Sequence, residues 1–392
     1  MSNSFSVKGW CPGALRPMLA GDGYVVRLRP KEGVLNPEQA HALAQMARLY
    51  GNGIMTLTSR ANIQLRGVTD VSFTPLIENL GANNLIDYSI RTESQRNIIL
   101  SPFWQAGDRS QCRLSMILIN ALGAKTAPIL PDKFGFVLDI AGAPHLRAAS
   151  GDVRIERTKE AGHFWVYADG ASTGWRGPQA KVIKAAMDLA KWFVEKGGMS
   201  NGRGRMRTLM QSLPTMPEDF TTHLQLLPPA QMPNLGLCDQ GLLVGLRFGN
   251  LSADLLDILA DQGELRLTPW RMVLVAGAKA LAAHPDLIID PRDPSLRIEA
   301  CIGAPACNQA HGTTYDMAQR LTHILPVGRF AHISGCAKGC ARTGNCDLTI
   351  VAQEGGYAWG KKVCADDIMG PALSKDFLLK DIQATFESPN NV

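Results

Sequence analysis

The stretch Cys301–Cys340 contains the cysteines on which the prediction of fold and chemistry depends. It begins Cys-Ile-Gly-Ala-Pro-Ala-Cys and ends Cys-Ala-Lys-Gly-Cys, so four of the nine cysteines form two pairs, 301 with 307 and 336 with 340. Glycine and proline let the first loop wrap closely around a bound group. The i, i+4 spacing of the second pair puts both thiols on one side of a helix, if a helix begins there. Four thiolates in two pairs predict a [4Fe–4S] cluster or a tetrahedral zinc ion.

Other roles for these cysteines fit the pattern less well. Structural zinc sites usually have tighter C-x₂₋₄-C pairs than the five-residue gap between Cys301 and Cys307. Unliganded core cysteines seldom occur as two close pairs in so short a stretch. The odd cysteine count and the absence of a secretory signal disfavour a disulfide framework. The pattern therefore favours an iron–sulfur cluster.

Length and composition indicate a soluble globular protein. The chain has 392 residues, of which 45% are hydrophobic and 19% charged, which is enough for two or three domains. Residues 1–10 contain no apolar signal-peptide core, and the longest apolar run, residues 272–283, is interrupted by Lys279. We therefore expect a cytoplasmic protein. The net charge of +5 fits an acidic small substrate or acidic redox partner at least as well as nucleic acid.

A strand–helix–strand pattern occurs twice. Residues 23–29 alternate in period two and place Arg27 and Arg29 on one face of a strand. Asn36 and Pro37 predict the start of a helix that ends before Gly51. A second strand follows over residues 53–58, and a row of alternating polar side chains comes after it: Arg60, Asn62, Gln64 and Arg66.

The second copy lies about 210 residues further on. Residues 241–248 match the first strand, residues 250–254 open the matching helix, and residues 263–277 match residues 53–67. Thr268 falls on Thr58 and Trp270 on Arg60. Such a duplication predicts two pseudo-symmetric halves whose open sheets pair with each other to bury their apolar faces.

Four further motifs lie between the copies. Arg96-Asn97 precedes an apolar run, and Leu130-Pro131-Asp132-Lys133-Phe134-Gly135 predicts a loop that leads into a strand. The stretch 177–196 predicts an amphipathic helix. After it, Arg203, Arg205 and Arg207 alternate, which fits binding of a polycarboxylate or a solvated strand better than nucleic-acid binding.

Together, these motifs resemble the nitrite and sulfite reductase superfamily over nearly the whole chain. The resemblance rests on the duplicated unit, the 58–64 stretch, Arg96-Asn97, Leu-Pro-x-Lys-Phe and the two cysteine pairs. It implies an α+β fold of two pseudo-symmetric halves, each with a ferredoxin-like half-domain and a mixed α/β domain. The implied boundaries are 1–85, 86–230, 231–290 and 291–392, the last carrying the cysteines.

The resemblance also implies roles for individual residues. The four cysteines, Cys301, Cys307, Cys336 and Cys340, would bind a [4Fe–4S] cluster, with Cys340 as the ligand that in the reductases also links to the sirohaem iron. Arg60, Arg96 and Lys133 fall on the positions that handle the anionic substrate. Two features depart from the reductases: Gly135 replaces the second lysine of a Lys-Phe-Lys pattern, and the second pair reads Cys-Ala-Lys-Gly-Cys.

These departures, the short chain and the segment Gly9–Met18 resemble the precorrin-3B synthase family within that superfamily. The resemblance implies hydroxylation of precorrin-3A with O2 and lactone formation by a ring A acetate, in aerobic cobalamin biosynthesis. It implies a mononuclear non-haem iron besides the cluster, and NADH as the ultimate reductant. Because no G-x-G-x-x-G follows a strand, we expect a separate electron-donor protein.

The substrate of that reaction carries many carboxylates, for which bidentate arginine is the natural ligand. Lys133 would polarise bound oxygen or a carboxylate. No set of two histidines and a carboxylate is visible for the mononuclear iron, and His311, His323 and His332 are each expected to be structural. Besides Arg60 and Arg96, the candidate substrate-binding arginines are Arg27, Arg29, Arg66, Arg203, Arg205 and Arg271.

Two other functions remain open at this point. A sirohaem-dependent nitrite or sulfite reductase shares the superfamily pattern. Gly135 and the Cys-Ala-Lys-Gly-Cys motif argue against this hypothesis, since both depart from the reductase sequences. A non-catalytic cluster protein, such as a redox sensor or electron carrier, does not need the arginine-rich halves. Cys11 has no cysteine near it in sequence and is expected to have no ligand role.

Overall fold

The computed structural model describes residues 12–212, 214–231, 233–342 and 344–387. Cys11 and the start of the Gly9–Met18 segment lie outside these residues. Within the described part of the chain, none of the helices combines the length and the apolar character that crossing a membrane requires.

The first half of the chain consists of short strands and six described helices. Its strands are β1 (Met18–Ala20), β2 (Gly23–Leu28), β3 (Val34–Leu35), β4 (Ile54–Leu57), β5 (Ile63–Val68), β6 (Ile98–Leu100), β7 (Phe136–Asp139), β8 (Val153–Arg157), β9 (His163–Ala168), β10 (Thr173–Pro178) and β11 (Thr222–His223). Its helices are α1 (Pro37–Tyr50), α2 (Asp70–Ala82), α3 (Ile90–Gln95), α4 (Ser110–Gly123), α5 (Val182–Glu195) and α6 (Met206–Gln211).

The second half repeats this plan with fewer helices. Its strands are β12 (Gly236–Cys238), β13 (Gly241–Leu246), β14 (Asn250–Ser252), β15 (Leu265–Leu267), β16 (Met272–Ala276), β17 (Leu287–Ile288), β18 (Ile298–Ala300), β19 (Ala331–Ser334), β20 (Cys346–Gln353) and β21 (Gly356–Val363). Its described helices are α7 (Ala253–Ala260), α8 (Tyr315–Leu321) and α9 (Lys375–Glu387).

The predicted duplication is confirmed, and the two copies exchange a strand. One sheet has the order β1-β2-β5-β4-β14, and the other has the order β12-β13-β16-β15-β3, with β17 beside β13. In the first sheet β14 pairs antiparallel with β4, and in the second β3 pairs antiparallel with β15. Each half thus completes the sheet of the other.

One apolar core lies beneath both of these sheets. It contains side chains from both copies, among them Leu43 of α1, Leu65 of β5, Leu255 of α7 and Val275 of β16, all with no exposed surface. Burial of a leucine or valine side chain contributes about 1.5–3 kcal/mol. The two halves are therefore held together by the same burial that stabilises each of them.

Helix α1 begins and ends where the sequence predicts. The Asn36 side chain accepts a hydrogen bond from the Gln39 amide, and the Gln39 side chain accepts one from the Asn36 amide. This reciprocal cap satisfies two backbone donors that the helix itself leaves unpaired. Gly51 ends the helix, and the buried positions Ala40, Leu43, Ala44 and Ala47 recur at helical spacing.

The remaining two sheets are the mixed α/β sheets that the fold class predicts. The first has the order β11-β10-β9-β8-β7-β6, and the second has the order β18-β19-β20-β21. In the first sheet β6, β7 and β8 are parallel and β9 is antiparallel. In the second, β18, β19 and β20 are parallel and β21 is antiparallel. The pseudo-symmetry thus extends to the α/β domains.

Two local predictions differ from the structure. The polar row after β4 is not one strand, because Arg60 and Ala61 form a turn in which Ala61 has φ 54°, and β5 begins only at Ile63. The predicted helix over 177–196 begins at Val182, because Thr173–Pro178 continues the sheet as β10.

Candidate functional site

The four predicted ligand cysteines lie at one edge of the second α/β sheet. Cys301 directly follows β18, and Cys336 comes two residues after β19. Because β18 and β19 are adjacent and parallel, their carboxyl ends meet at the same edge. The structure therefore brings together two loops that are 28 residues apart in sequence.

Glycines allow the two cysteine loops to approach each other closely. A Cβ added to Gly335 would lie 2.6 Å from the Cβ of Ala310 and 3.2 Å from the Cα of Gly303. Gly303 itself has φ 68°, a conformation that favours glycine. The backbone N–H of Gly335 donates to the Sγ of Cys301 over 3.1 Å, a bond that favours the thiolate form of a metal ligand.

Burial raises the pKa of the thiols at this edge. Desolvation is the main cause at Cys301 and Cys336, and at Cys340 it raises the pKa to about 11. Of the four cysteines, Cys340 is the exposed one, whereas Cys336 is buried and Cys301 and Cys307 are partly buried. A bound metal would reverse this preference, because it deprotonates the thiols that coordinate it.

The spacing of the thiols fits a cluster better than a single ion. Sulfurs that share one tetrahedral zinc lie about 3.8 Å apart, as follows from a Zn–S distance of about 2.3 Å. Among the residues that the structure describes, no three of these four sulfurs lie within 4.8 Å of one another. In a [4Fe–4S] cluster each of the four cysteines binds a different iron atom, so its donor set of four thiolates does not require sulfurs that close.

The second cysteine pair does not open a helix, so the condition under which its i, i+4 spacing would align the two thiols is not met. Residues 335–340 form turns after β19, and Gly339 has φ 62°, which no right-handed helix contains. The two thiols are therefore positioned by the turn and by β19 rather than by helical spacing.

A group of cationic side chains lies in the first half. Arg60 donates to the carbonyl oxygen of Lys133 over 3.0 Å and to the Ser150 hydroxyl over 2.9 Å. Arg205 donates to the same hydroxyl over 3.3 Å and is held by Asp152 over 2.9 Å. Arg60 and Arg205 thus meet at Ser150, and Arg60 also bonds the backbone of Lys133; we call these three residues, predicted from three separate motifs, the cation group.

Asp152 explains the glycine that departs from the reductase pattern. Its carboxylate accepts hydrogen bonds from the backbone of Gly135 over 2.9 Å and of Met206 over 2.8 Å, besides pairing with Arg205. A Cβ at position 135 would lie 3.3 Å from the carbonyl oxygen of Asn97, which is tighter than an ordinary contact. The carboxylate thus brings Arg205 close to the strand position that lacks a lysine.

Arg66 and Arg96 occupy buried positions with their donors engaged. Arg96 is 5% exposed, forms a bidentate pair with Asp87 and donates to the carbonyl oxygen of Arg29 over 2.6 Å. Arg66 is likewise 5% exposed and pairs with Asp22. Both residues hold segments of the protein together, which differs from the direct substrate contact that the sequence suggested.

The other candidate arginines are dispersed. Arg29 is buried and donates to the Glu93 carbonyl, and Arg27 lies opposite Gln64 on the sheet. Arg203 is exposed. Arg271 donates to the carbonyl oxygen of Ala341 over 3.3 Å, which places it beside the cysteine loop and away from the cation group.

The histidines provide no iron site among the described residues. His311 and His323 are exposed and His332 is fully buried. The one described group of three possible ligands with atoms within 4.8 Å is Cys364, Asp366 and Asp367, which contains no histidine. The described residues therefore do not fit the two-histidine, one-carboxylate set of a mononuclear iron.

A cavity of about 280 Å³ lies apart from the cysteines and the cation group, where β3 meets β15. Glu32 and Glu264 line it, with Arg109 donating to Glu32 over 2.7 Å. Its carboxylates do not suit a polycarboxylate ligand.

Sequence analysis missed Ser150, Asp152 and Asp22, although they organise the site. Each is a single polar residue in a loop, and its partners lie tens of residues away in the chain. The one available signal was Gly135, since a glycine where relatives carry a lysine indicates that a neighbouring group fills the space.

Comparison with known proteins gives consistent matches along the chain. Residues 16–83 match the family model of the nitrite/sulfite reductase ferredoxin-like half domain. The solved structure of the Mycobacterium tuberculosis NirA protein superimposes with a TM-score of 0.60 over 92% of this chain and 79% of that one, at 16% identity. The fold is therefore that of the nitrite and sulfite reductases, as the sequence predicted.

Two curated relatives show to which family within this fold the chain belongs. A precorrin-3B synthase of Sinorhizobium sp is 30% identical over 89% of this chain and 82% of its own length. A ferredoxin–nitrite reductase of Synechococcus elongatus is 27% identical over 86% of this chain and 77% of its own length. The chain belongs to the precorrin-3B synthase family.

Proposed function

We propose that this protein is a precorrin-3B synthase, a cytoplasmic monooxygenase that hydroxylates precorrin-3A with O2 and forms a lactone with the ring A acetate. The Sinorhizobium relative supports this reading, since it is similar over nearly the full length of both chains. The observation that carries the proposal is the cation group beside Gly135, with Arg205 brought in by Asp152 where a reductase-like lysine is absent.

In this proposal the cation group binds and orients the substrate. The Arg60 and Arg205 guanidiniums converge on the Ser150 hydroxyl, and such a pair suits one carboxylate of a polycarboxylate macrocycle. Lys133, exposed beside them, polarises oxygen or a second carboxylate. Arg96 acts indirectly, because its bonds to Asp87 and to the Arg29 carbonyl fix the base of the site.

The four cysteines hold a [4Fe–4S] cluster, with Cys340 on the substrate side, as the resemblance to the reductases implies and as its exposure allows. Bound there, the cluster supplies single electrons, and two electrons with two protons are needed to reduce the second oxygen atom of O2 to water. These electrons come from NADH through a separate protein. No step is assigned to a mononuclear iron, because the described residues offer no fitting ligand set.

A sirohaem-dependent nitrite or sulfite reductase is the second candidate. The nitrite reductase relatives, one at 27% identity, favour it. The glycine at position 135, where a reductase carries a lysine, argues against it, since reduction of a small anion relies on closely placed cations.

Anaerobic purification separates the two candidates. We expect a broad iron–sulfur absorption, iron and sulfide at the level of one cluster or above, and no extractable sirohaem. O2-dependent conversion of precorrin-3A to a product with one additional oxygen atom would then test the activity. Stoichiometric sirohaem with nitrite or sulfite reduction would overturn the proposal.

A further inference from the structure

The Cys301–Cys307 loop belongs to the second half, but the first half holds its last peptide. The carbonyl oxygen of Ala306 accepts a hydrogen bond from the backbone N–H of Gly21 over 3.1 Å and one from the Arg66 guanidinium over 2.7 Å. Gly21 lies in the tight turn between β1 and β2, and Arg66 lies on β5. Two donors from one ferredoxin-like sheet therefore meet on a single oxygen beside Cys307.

The Arg66 guanidinium is itself fixed. Its Nε and Nη2 donate to the two carboxylate oxygens of Asp22 over 2.9 and 2.8 Å, and its side chain is 6% exposed. A bidentate pair of this kind fixes the plane of the guanidinium as well as its position. The direction of the bond to Ala306 is consequently determined by the β1–β2 turn.

The opposite side of the same peptide is fixed as well. The N–H of Cys307 donates to the carbonyl oxygen of Gly303 over 2.9 Å. Because a peptide unit is planar, bonds at its oxygen and at its N–H together fix the plane of this peptide and with it the Cα position of Cys307. The backbone torsion φ and the side-chain torsion of Cys307 then place the thiol.

The β1–β2 turn also packs closely against the residues around Ala306. A Cβ added to Gly21 would lie 2.1 Å from the carbonyl oxygen of Pro305 and 2.9 Å from the Asn308 side chain. The turn thus packs directly against the cysteine loop along several residues.

We propose that Arg66, Asp22 and the Gly21 peptide position Cys307 as a cluster ligand, so that the first half sets the ligand geometry of a cluster carried by the second. This inference rests on the proposed cluster at the four cysteines. Arg66 is in this view a positioning residue, and its guanidinium does not contact the substrate.

Two variants disturb the loop in different ways. Arg66→Lys keeps the positive charge, but an ammonium group cannot bond the two carboxylate oxygens of Asp22 and the carbonyl oxygen of Ala306 with the planar geometry of a guanidinium. Gly21→Ala displaces the cysteine loop without changing any charge. Matched controls are Arg48→Gln, which removes an exposed pair with Asp254 and Asp257, and Gly81→Ala in α2, where an added Cβ meets nothing within 4 Å.

The readouts are the EPR spectrum of the reduced protein and the rate of iron release to a chelator. We expect both loop variants to change the spectrum and to release iron about tenfold faster, a change that corresponds to about 1.4 kcal/mol. The controls should match the wild type, and the thermal midpoint of the chelated, iron-free protein shows whether the variants remain folded.

Two failures are distinguishable. A wild-type protein that holds no iron and sulfide after anaerobic purification removes the proposed cluster itself. A wild type with a cluster, and loop variants with unchanged spectra and release rates, overturns the positioning role while leaving the cluster in place.

Discussion

The two α/β sheets differ in what their central strand ends bond to. In the first sheet the backbone N–H of Ile140, which follows β7, donates to the side-chain oxygen of Gln111. In the second sheet the equivalent N–H is that of Gly335, which follows β19, and it donates to the Cys301 thiol. The equivalence is set by the preceding bonds, since Ser101 donates to Leu138 as Cys301 donates to Ile333. The same strand ends thus carry a buried amide in one half and two cysteine loops in the other. The proposed ligand site lies where the second half lacks such an amide.

The ferredoxin-like sheets show the same division of roles. Thr58 and Thr268 each accept two backbone N–H bonds in equivalent turns, and the residues Ala61 and Arg271 have φ 54° and 57°. The turn in the first half directs Arg60 to the cation group. In the second half, Trp270 takes that place and packs against a small apolar cluster near Phe103. Two turns with the same backbone conformation therefore differ in role: one presents a charged side chain and the other presents an apolar side chain to the core.

Removing the buried amide should have the largest effect on stability. Gln111 is 1% exposed and satisfies both the Ser101 carbonyl and the Ile140 N–H. Gln111→Leu leaves two buried backbone groups unpaired, so we expect the free energy of unfolding to fall by about 2–4 kcal/mol. Urea denaturation measures it. A fall in the free energy of unfolding no larger than that of a typical surface substitution would show that the two hydrogen bonds of Gln111 do not stabilise this end of the sheet.

Replacing the charged side chain of the first turn should affect activity instead. Arg60→Gln removes one guanidinium from the cation group, and we expect kcat/KM for the tetrapyrrole to fall about tenfold to a hundredfold. The exposed Arg203→Gln is the matched control, with little expected change. Equal kinetics of the Arg60 variant and the wild type would contradict the assignment of this turn to substrate binding.

Asp139 ends β7 at the position that Ser334 occupies at the end of β19. Burial raises the pKa of its carboxyl to about 6. Because this pKa lies above that of the unfolded chain, the stabilising proton is present below about pH 4 and is lost as pH rises through 6. Relative to Asp139→Asn, the wild type should lose about 2 kcal/mol of stability between pH 4.5 and 7.5.

Thermal unfolding of both proteins across that range measures the difference. A constant difference between wild type and Asp139→Asn would show that the carboxyl does not titrate there. Ser334→Asp would extend the comparison to the second sheet, where a carboxylate beside the cysteine loops should weaken iron retention.

The smallest expected effect compares the two turns directly. Thr58→Val and Thr268→Val each remove a hydroxyl that accepts two backbone N–H bonds, and we expect each to cost about 1–2 kcal/mol. Thr268 is fully buried, so its variant should be the less stable of the two. Urea denaturation in parallel tests this order, and a larger loss at Thr58 would show that burial of the hydroxyl does not decide the cost.

The sequence predicts those parts of the molecule that local pattern determines. Helix α1 follows from Asn36, Pro37 and Gly51, and the duplication follows from matching glycines and apolar residues. The sequence leaves open whether a helix begins at the second cysteine pair, because cysteine spacing alone does not reveal the backbone conformation of the glycine between them. Gly339 adopts φ 62° there, so the chain turns between the two cysteines.

Local sequence patterns do not predict which side chains pair across long distances in the chain. Arg66 and Arg96 resemble surface cations in sequence, and only the fold shows that Asp22 and Asp87 pair with them in buried positions. The exchange of β3 and β14 is equally invisible, because strands of two and three residues carry almost no periodic signal. What remains unpredictable is the set of contacts between residues far apart in the chain.

The exchanged strands have a consequence for how this chain is made. The sheet of β1, β2, β4 and β5 lacks its edge strand until the ribosome has synthesised Asn250–Ser252. At about 5–20 residues per second, that strand follows β4 by roughly 10–40 s. During this interval the nascent first half exposes the backbone edge of β4, a surface on which chaperones or neighbouring chains can act before the partner strand arrives.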